Sequence, residues 1–110
     1  MSNNYFVYIT TNSTKSTFYT GMTNNLEQRI IEHYLNRGQR KTFAGRYYCY
    51  YLLYYDRFQS PSMAIEREKE IKDWNRSLKE RLINEFNPSC KFLNSEIMQW
   101  PPDSGILSRT

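Results

Sequence analysis

Residues 5–10 and 17–21 are two short runs rich in aromatic and β-branched side chains, joined through the polar segment TNSTKST, and a helical period takes over directly behind them. The runs read as strands, and the Thr, Asn and Ser between them suit a hairpin loop. In TNNLEQRIIEHYLN the apolar residues Leu26, Ile30, Ile31, Tyr34 and Leu35 recur at helical spacing, and Asn24 with Glu27 three residues later forms a capping pair at its start. This predicts a helix of about three turns. A hairpin that feeds at once into an amphipathic helix is a mixed α+β beginning.

The rest of the chain fits that beginning. RGQRKTFAGR (37–46) reads as a loop, and its Arg37, Arg40, Lys41 and Arg46 have no acid among them. YYCYYLLYYDRF (47–58) has the aromatic density of a buried strand, the third of the sheet. Ser60 followed by Pro61 is a helix start, and the helix runs to about Trp74. RSLKERLINEF continues helically with Leu78, Leu82, Ile83 and Phe86 on one side, until Pro88 ends it. Beyond Pro88 no period is sustained, which predicts a loosely attached tail over 89–110 with Phe92, Ile97 or Trp100 docking on the core of a 1–88 domain. The expectation is an α+β domain with a three-stranded antiparallel sheet flanked by helices.

Composition limits the chemistry. A chain of 110 residues, 39% apolar, closes one modest core. Fifteen Lys and Arg against eleven Asp and Glu give a net charge of +4, which suits a polyanionic partner without requiring one. Two cysteines cannot build a multi-bridge framework, and MSNNYF lacks the regions of a signal peptide, so a reduced cytoplasmic setting is expected. YYCYYLLYY is far shorter than the roughly 20 residues of a membrane span. With His33 the only histidine, a closed zinc site is not expected, and the four glycines are too scattered for a phosphate loop.

The candidate chemical residues each have an ordinary explanation. At 100° per residue Ala64, Ile65 and Ile71 share a helix face with Glu68 in their middle. An ionised carboxylate there is costly unless paired, protonated or bound to a metal, so Glu68 is the partner of a buried Arg or Lys, or lies on a helix that sits shallow, or is a group placed for chemistry. Arg29 and His33, four residues apart, share a stripe at the border of the first helix's apolar face. Tyr8 and Tyr19 belong to ten tyrosines, most of which must pack with their hydroxyls tied off.

Taken together, FVY (6–8), YTG (19–21), LEQRIIEH (26–33) and AIEREKEIK (64–72) resemble, in order and spacing, the GIY-YIG nuclease superfamily, above all its small standalone bacterial members, over residues 5–88. Tyr8, Tyr19, Arg29 and Glu68 match its pattern. Phe6 and Val7 replace the family's Gly and Ile, and Thr20 the middle Ile, at strand positions that contribute packing. The late asparagine of many active members has two candidates here, Asn75 and Asn87.

The resemblance implies roles. Glu68 would hold Mg²⁺ or Mn²⁺, hard cations that complete their shells with water and phosphate oxygen, and the metal would stabilise the leaving 3′ oxygen. Arg29 suits the non-bridging oxygens of the scissile phosphate. Tyr8 would be the general base or position the attacking water, helped by His33, while Tyr19 orients water or phosphate and Gly21 lets the backbone pass close by. Arg37, Arg40, Lys41, Arg46, Lys72 and Arg76 are the expected contacts to DNA, whether single-stranded, duplex or branched. The implied function is a metal-dependent, structure- or strand-selective DNA endonuclease of repair or recombination, acting as a monomer or weak dimer. The alternatives are a nucleic-acid-binding module of the same fold with little cleavage, and a protein-interaction adaptor built on the aromatic surface and tail.

Overall fold

The computed structural model describes residues 4–102. Strands β1 (Tyr5–Thr11) and β2 (Phe18–Thr23) pair antiparallel, with Tyr8 opposite Gly21 and Thr10 opposite Tyr19. The turn between them is organised by Asn12, whose side-chain oxygen accepts from the backbone N–H of Ser16 at 2.9 Å and of Thr17 at 3.3 Å. Helix α1 (Leu26–Leu35) follows, capped by Asn25 rather than Asn24. The Thr23 hydroxyl accepts the Asn25 N–H at 3.1 Å and so sets the helix entry one residue later, where the Asn25 side chain takes the Gln28 N–H.

Residues 43–50 depart from the expected loop and strand. Thr42 caps a one-turn helix, α2 (Phe43–Arg46), and strand β3 begins only at Tyr51, running to Phe58. β3 pairs antiparallel with the other side of β1, with a register shift between Ile9 and Thr10, giving the order β2-β1-β3. Ser60 caps α3 (Pro61–Asp73) as expected. The helical reading beyond it divides in two at Trp74, and Asn75 caps a separate α4 (Arg76–Phe86).

Because side chains alternate along β1, the sheet has a core on each face. Val7 and Ile9 meet Ala64 and Ile71 of α3 and Ile83 of α4 on one side; Tyr8 meets Leu26 and Ile30 of α1 on the other. The apolar face of α3 is narrower than the expected one. Ala64 and Ile71 are fully buried, but Ile65 is 41% exposed, because the helix faces the sheet along the Ala64–Ile71 line and leaves Ile65 well to one side. In α4, likewise, Ile83 is buried while Leu78 and Phe86 stay largely exposed.

The segment after Pro88 also differs from its expectation. A short helix, α5 (Asn94–Ile97), lies against β3, and Leu93 and Asn94 are buried. The outer edge of β3 has backbone groups that need partners, and Asn94 supplies them: its side chain accepts the Leu52 N–H at 2.7 Å and donates to the Tyr50 carbonyl at 2.9 Å. Leu93 N–H adds a bond to the Leu52 carbonyl at 2.8 Å. Phe92 stacks on Tyr51 with centroids 4.2 Å apart, and Ile97 and Trp100 join the α1-side core. Residues 89–102 are therefore packed rather than loosely attached; 103–110 lie outside the described residues.

Candidate active site

The site is built at the β2 side of the sheet. Tyr8 projects on the α1 face directly over Gly21, its partner across the hairpin. A β-carbon on Gly21 would stand 2.5 Å from the Tyr8 hydroxyl and 2.9 Å from Cε2 of Tyr19, so only glycine admits both phenols here. The two rings lie 6.2 Å apart. His33, near the end of α1, closes the group: its ring centroid is 5.8 Å from Tyr8 and 5.3 Å from Tyr19, and its Nε2 lies 2.8 Å from the Tyr8 hydroxyl.

The two partners of that hydrogen bond are driven in opposite directions. Burial, with Tyr19 beside it, pushes the Tyr8 phenol well above its ordinary range; Arg29 opposes this, and the negative charge of Glu68 adds to it. Burial and the Arg29 charge push His33 down to about 4. At neutral pH the imidazole is uncharged and the phenol protonated, and in the tautomer that leaves Nε2 bare the Tyr8 O–H donates to it. α3 packs on the face of the sheet opposite α1, yet Glu68 acts on the same phenol as Arg29 of α1. Thus Tyr8, Tyr19 and His33 stand together, and the charges of Arg29 and Glu68 both act on the Tyr8 phenol.

Glu68 is half-buried, and its ion pair is with Lys72 Nζ at 3.5 Å, a lysine whose own side chain is half exposed. It is not the partner of a buried cation. Among the described residues no group of three or more His, Cys, Asp or Glu comes together. A single carboxylate suits a hard cation that keeps most of its shell as water and phosphate oxygen, as Mg²⁺ and Mn²⁺ do.

The expected nucleic-acid contacts divide. Arg40, Lys41 and Arg46 are exposed, and their side chains make no hydrogen bond or ion pair with any described residue. Arg37 is folded back onto α1, donating to the Tyr34 carbonyl at 2.7 Å with its guanidinium over the Tyr34 ring. Arg76 departs from its expected place: its guanidinium donates to the Lys15 and Ser16 carbonyls, covers Phe18 and pairs with Glu80, so it fastens the hairpin turn. The two asparagine candidates are both engaged structurally. Asn75 caps α4, and Asn87 is buried, donating to the Leu53 and Lys91 carbonyls.

One neighbour of the site escaped the sequence reading. Phe43 of α2 stacks on Tyr19 at 6.2 Å and 25°, while remaining 49% exposed. An aromatic residue inside an acid-free basic segment was the available signal.

Known proteins with this arrangement agree on its kind. The GIY-YIG catalytic domain matches residues 4–84. A UPF0213 protein of Natronomonas pharaonis is 40% identical over 83 residues, covering 76% of this chain and 94% of that protein. One from Staphylococcus haemolyticus is 38% identical over 81 residues, covering 74% and 95%. The solution NMR structure of a UPF0213 protein from Bacillus halodurans is 29% identical, with a TM-score of 0.46 and coverage of 91% of this chain and 99% of that one. The catalytic domain matches most of the chain and the relatives are covered almost end to end: the chain belongs to the GIY-YIG nuclease superfamily.

Proposed function

We propose that this protein is a metal-dependent endonuclease that hydrolyses phosphodiester bonds in DNA, and that Tyr8, Tyr19, Arg29, His33 and Glu68 carry the reaction. The observation that supports this most is the Tyr8 hydroxyl 2.8 Å from an uncharged His33 nitrogen. A phenol held protonated by burial is a poor base by itself. Coupled to His33 it becomes one, because its own proton passes to Nε2 as it takes a proton from the attacking water, and no free phenolate forms. Tyr19, edge-on to His33, limits where that water stands. Arg29, its side chain 44% exposed on α1 and paired through Nε with Glu32 at 3.6 Å, would turn its terminal nitrogens to the non-bridging oxygens. Glu68 would hold Mg²⁺ or Mn²⁺, which when bound supplies positive charge to the leaving 3′ oxygen. Arg40, Lys41 and Arg46 give the strand its purchase.

The test is a cleavage panel on single-stranded, duplex, flap and branched DNA with Mg²⁺ or Mn²⁺, and with EDTA. Metal-dependent cleavage of at least one substrate is expected. Binding without cleavage of any of them would favour the second reading, a nucleic-acid-binding module, for which the Lys72 ammonium beside Glu68 is the supporting observation.

A further inference from the structure

The most exposed large apolar side chains include Phe43, Tyr47 and Tyr48, at 49%, 42% and 51% exposure. All three lie in or just after α2, beside the cations that have no partner. We propose that residues 40–48 form a nucleotide subsite next to the reacting phosphate, in which Phe43 and Tyr47 stack on one unpaired base and Arg40 and Arg46 hold the phosphates that flank it. The subsite rests on the nuclease reading only for what its neighbour does with the strand.

Phe43 continues the aromatic row of the site outward. It stacks on Tyr19, which is edge-on to His33, and Tyr47 lies 4.8 Å from it with its ring tilted by 50°. A base on Phe43 would therefore belong to a nucleotide adjoining the one whose phosphate reaches Tyr8. Two hollows border this row. One, of about 380 Å³, is lined by Gly38, Arg40, Arg46 and Tyr48; the other, of about 260 Å³, has Phe43 and Tyr47 on its wall. Arg40 and Arg46 border both hollows. Flat apolar rings beside two guanidinium groups that have no partner among the described residues match a nucleotide, which has a flat apolar face and a charge on either side.

Tyr48 adds an independent observation. Cys49 N–H bonds the Ala44 carbonyl and Tyr48 N–H the Gly45 carbonyl, the crossed pair that closes a helix through a left-handed residue. That residue is ordinarily glycine, yet here it is Tyr48, at φ 58°. A β-carbon on Gly38 would stand 3.2 Å from the Tyr48 hydroxyl, so the strained position carries the phenol over the larger hollow. A side chain kept where glycine fits better points to a contact outside the chain.

The test is equilibrium binding in EDTA, where no cleavage occurs, of the full chain to a single-stranded oligonucleotide with one 2-aminopurine, moved position by position. The parent should quench the fluorophore. Phe43→Ala should lose the quench and bind about ten-fold or more weakly, with an unchanged salt slope. Arg40→Gln with Arg46→Gln should keep the quench while its salt slope falls by about 1.4. Tyr48→Gly should melt at the same or a higher temperature than the parent and still bind more weakly. The subsite is overturned if the parent does not bind the oligonucleotide or quenches at no position, or if Phe43→Ala and Tyr48→Gly bind and quench as the parent does. Tighter binding of an acidic peptide than of the oligonucleotide would also overturn it and assign the surface to a protein partner. A parent that binds and quenches but never cleaves with metal would instead end the nuclease reading and leave the subsite standing.

Discussion

Burial keeps the proton on Tyr8 and keeps His33 uncharged, and a hydrogen bond joins the two neutral groups. The consequence can be measured through stability. His33 titrates near 6.5 in an unfolded chain and at about 4 in the folded one, so between those values the unfolded state binds the extra proton. Its contribution is whole above pH 6.5 and is lost as the pH falls toward 4, with a slope of at most about 1.4 kcal/mol per pH unit. Urea melts between pH 4 and 7 should show that extra slope in the parent and a flatter curve in His33→Gln. Gly21→Ala tests the geometry. With a β-carbon 2.5 Å from the Tyr8 hydroxyl, the variant should lose roughly 1–3 kcal/mol of stability, and its cleavage should fall by more than its unfolded fraction explains. Cleavage rates divided by folded fraction check this. The five candidate residues could be placed on their elements because each lies on a strand or helix whose period the sequence displays. The surroundings of Glu68 were not: a helical wheel gives angles between residues but not the direction of the core, and Ile65 turns out to face water.

At the scale of elements, local signals decided what could be read. The hairpin, α1 and the Ser60–Pro61 start carry period and cap chemistry in the sequence itself. α2 was hidden because it spans only four residues and closes through a tyrosine instead of a glycine. The segment after Pro88 was hidden for another reason: it is fixed by polar side chains bonded to backbone, and this leaves no hydrophobic period. Asn94 is the clearest case. Asn94→Ala would leave the Leu52 N–H and the Tyr50 carbonyl without their partners at the edge of β3, at a cost of about 1–3 kcal/mol. Hydrogen exchange should show the Leu52 amide losing protection well before those of β1. Loss of stability without that local change would mean that α5 is held by its apolar contacts alone.

For the whole molecule, the three-stranded sheet acts as a partition with α1 on one face and α3 on the other, and charges from both helices act on the Tyr8 phenol. The order and spacing of four separated motifs were enough to indicate the superfamily. Which cations face outward was not legible, because Arg76 and Arg40 look alike in a sequence and only folding turns one onto the hairpin carbonyls. The central claim is that Glu68 holds the catalytic cation, and Glu68→Gln tests it most directly. Its ion pair with Lys72 is single and partly solvated, so the substitution should change stability by no more than about 1 kcal/mol. Single-turnover cleavage in Mn²⁺, measured beside DNA affinity and a thermal melt in EDTA, should show cleavage abolished while binding is retained or tightened. A Glu68→Gln protein that still cuts DNA in proportion to its folded fraction would contradict the account.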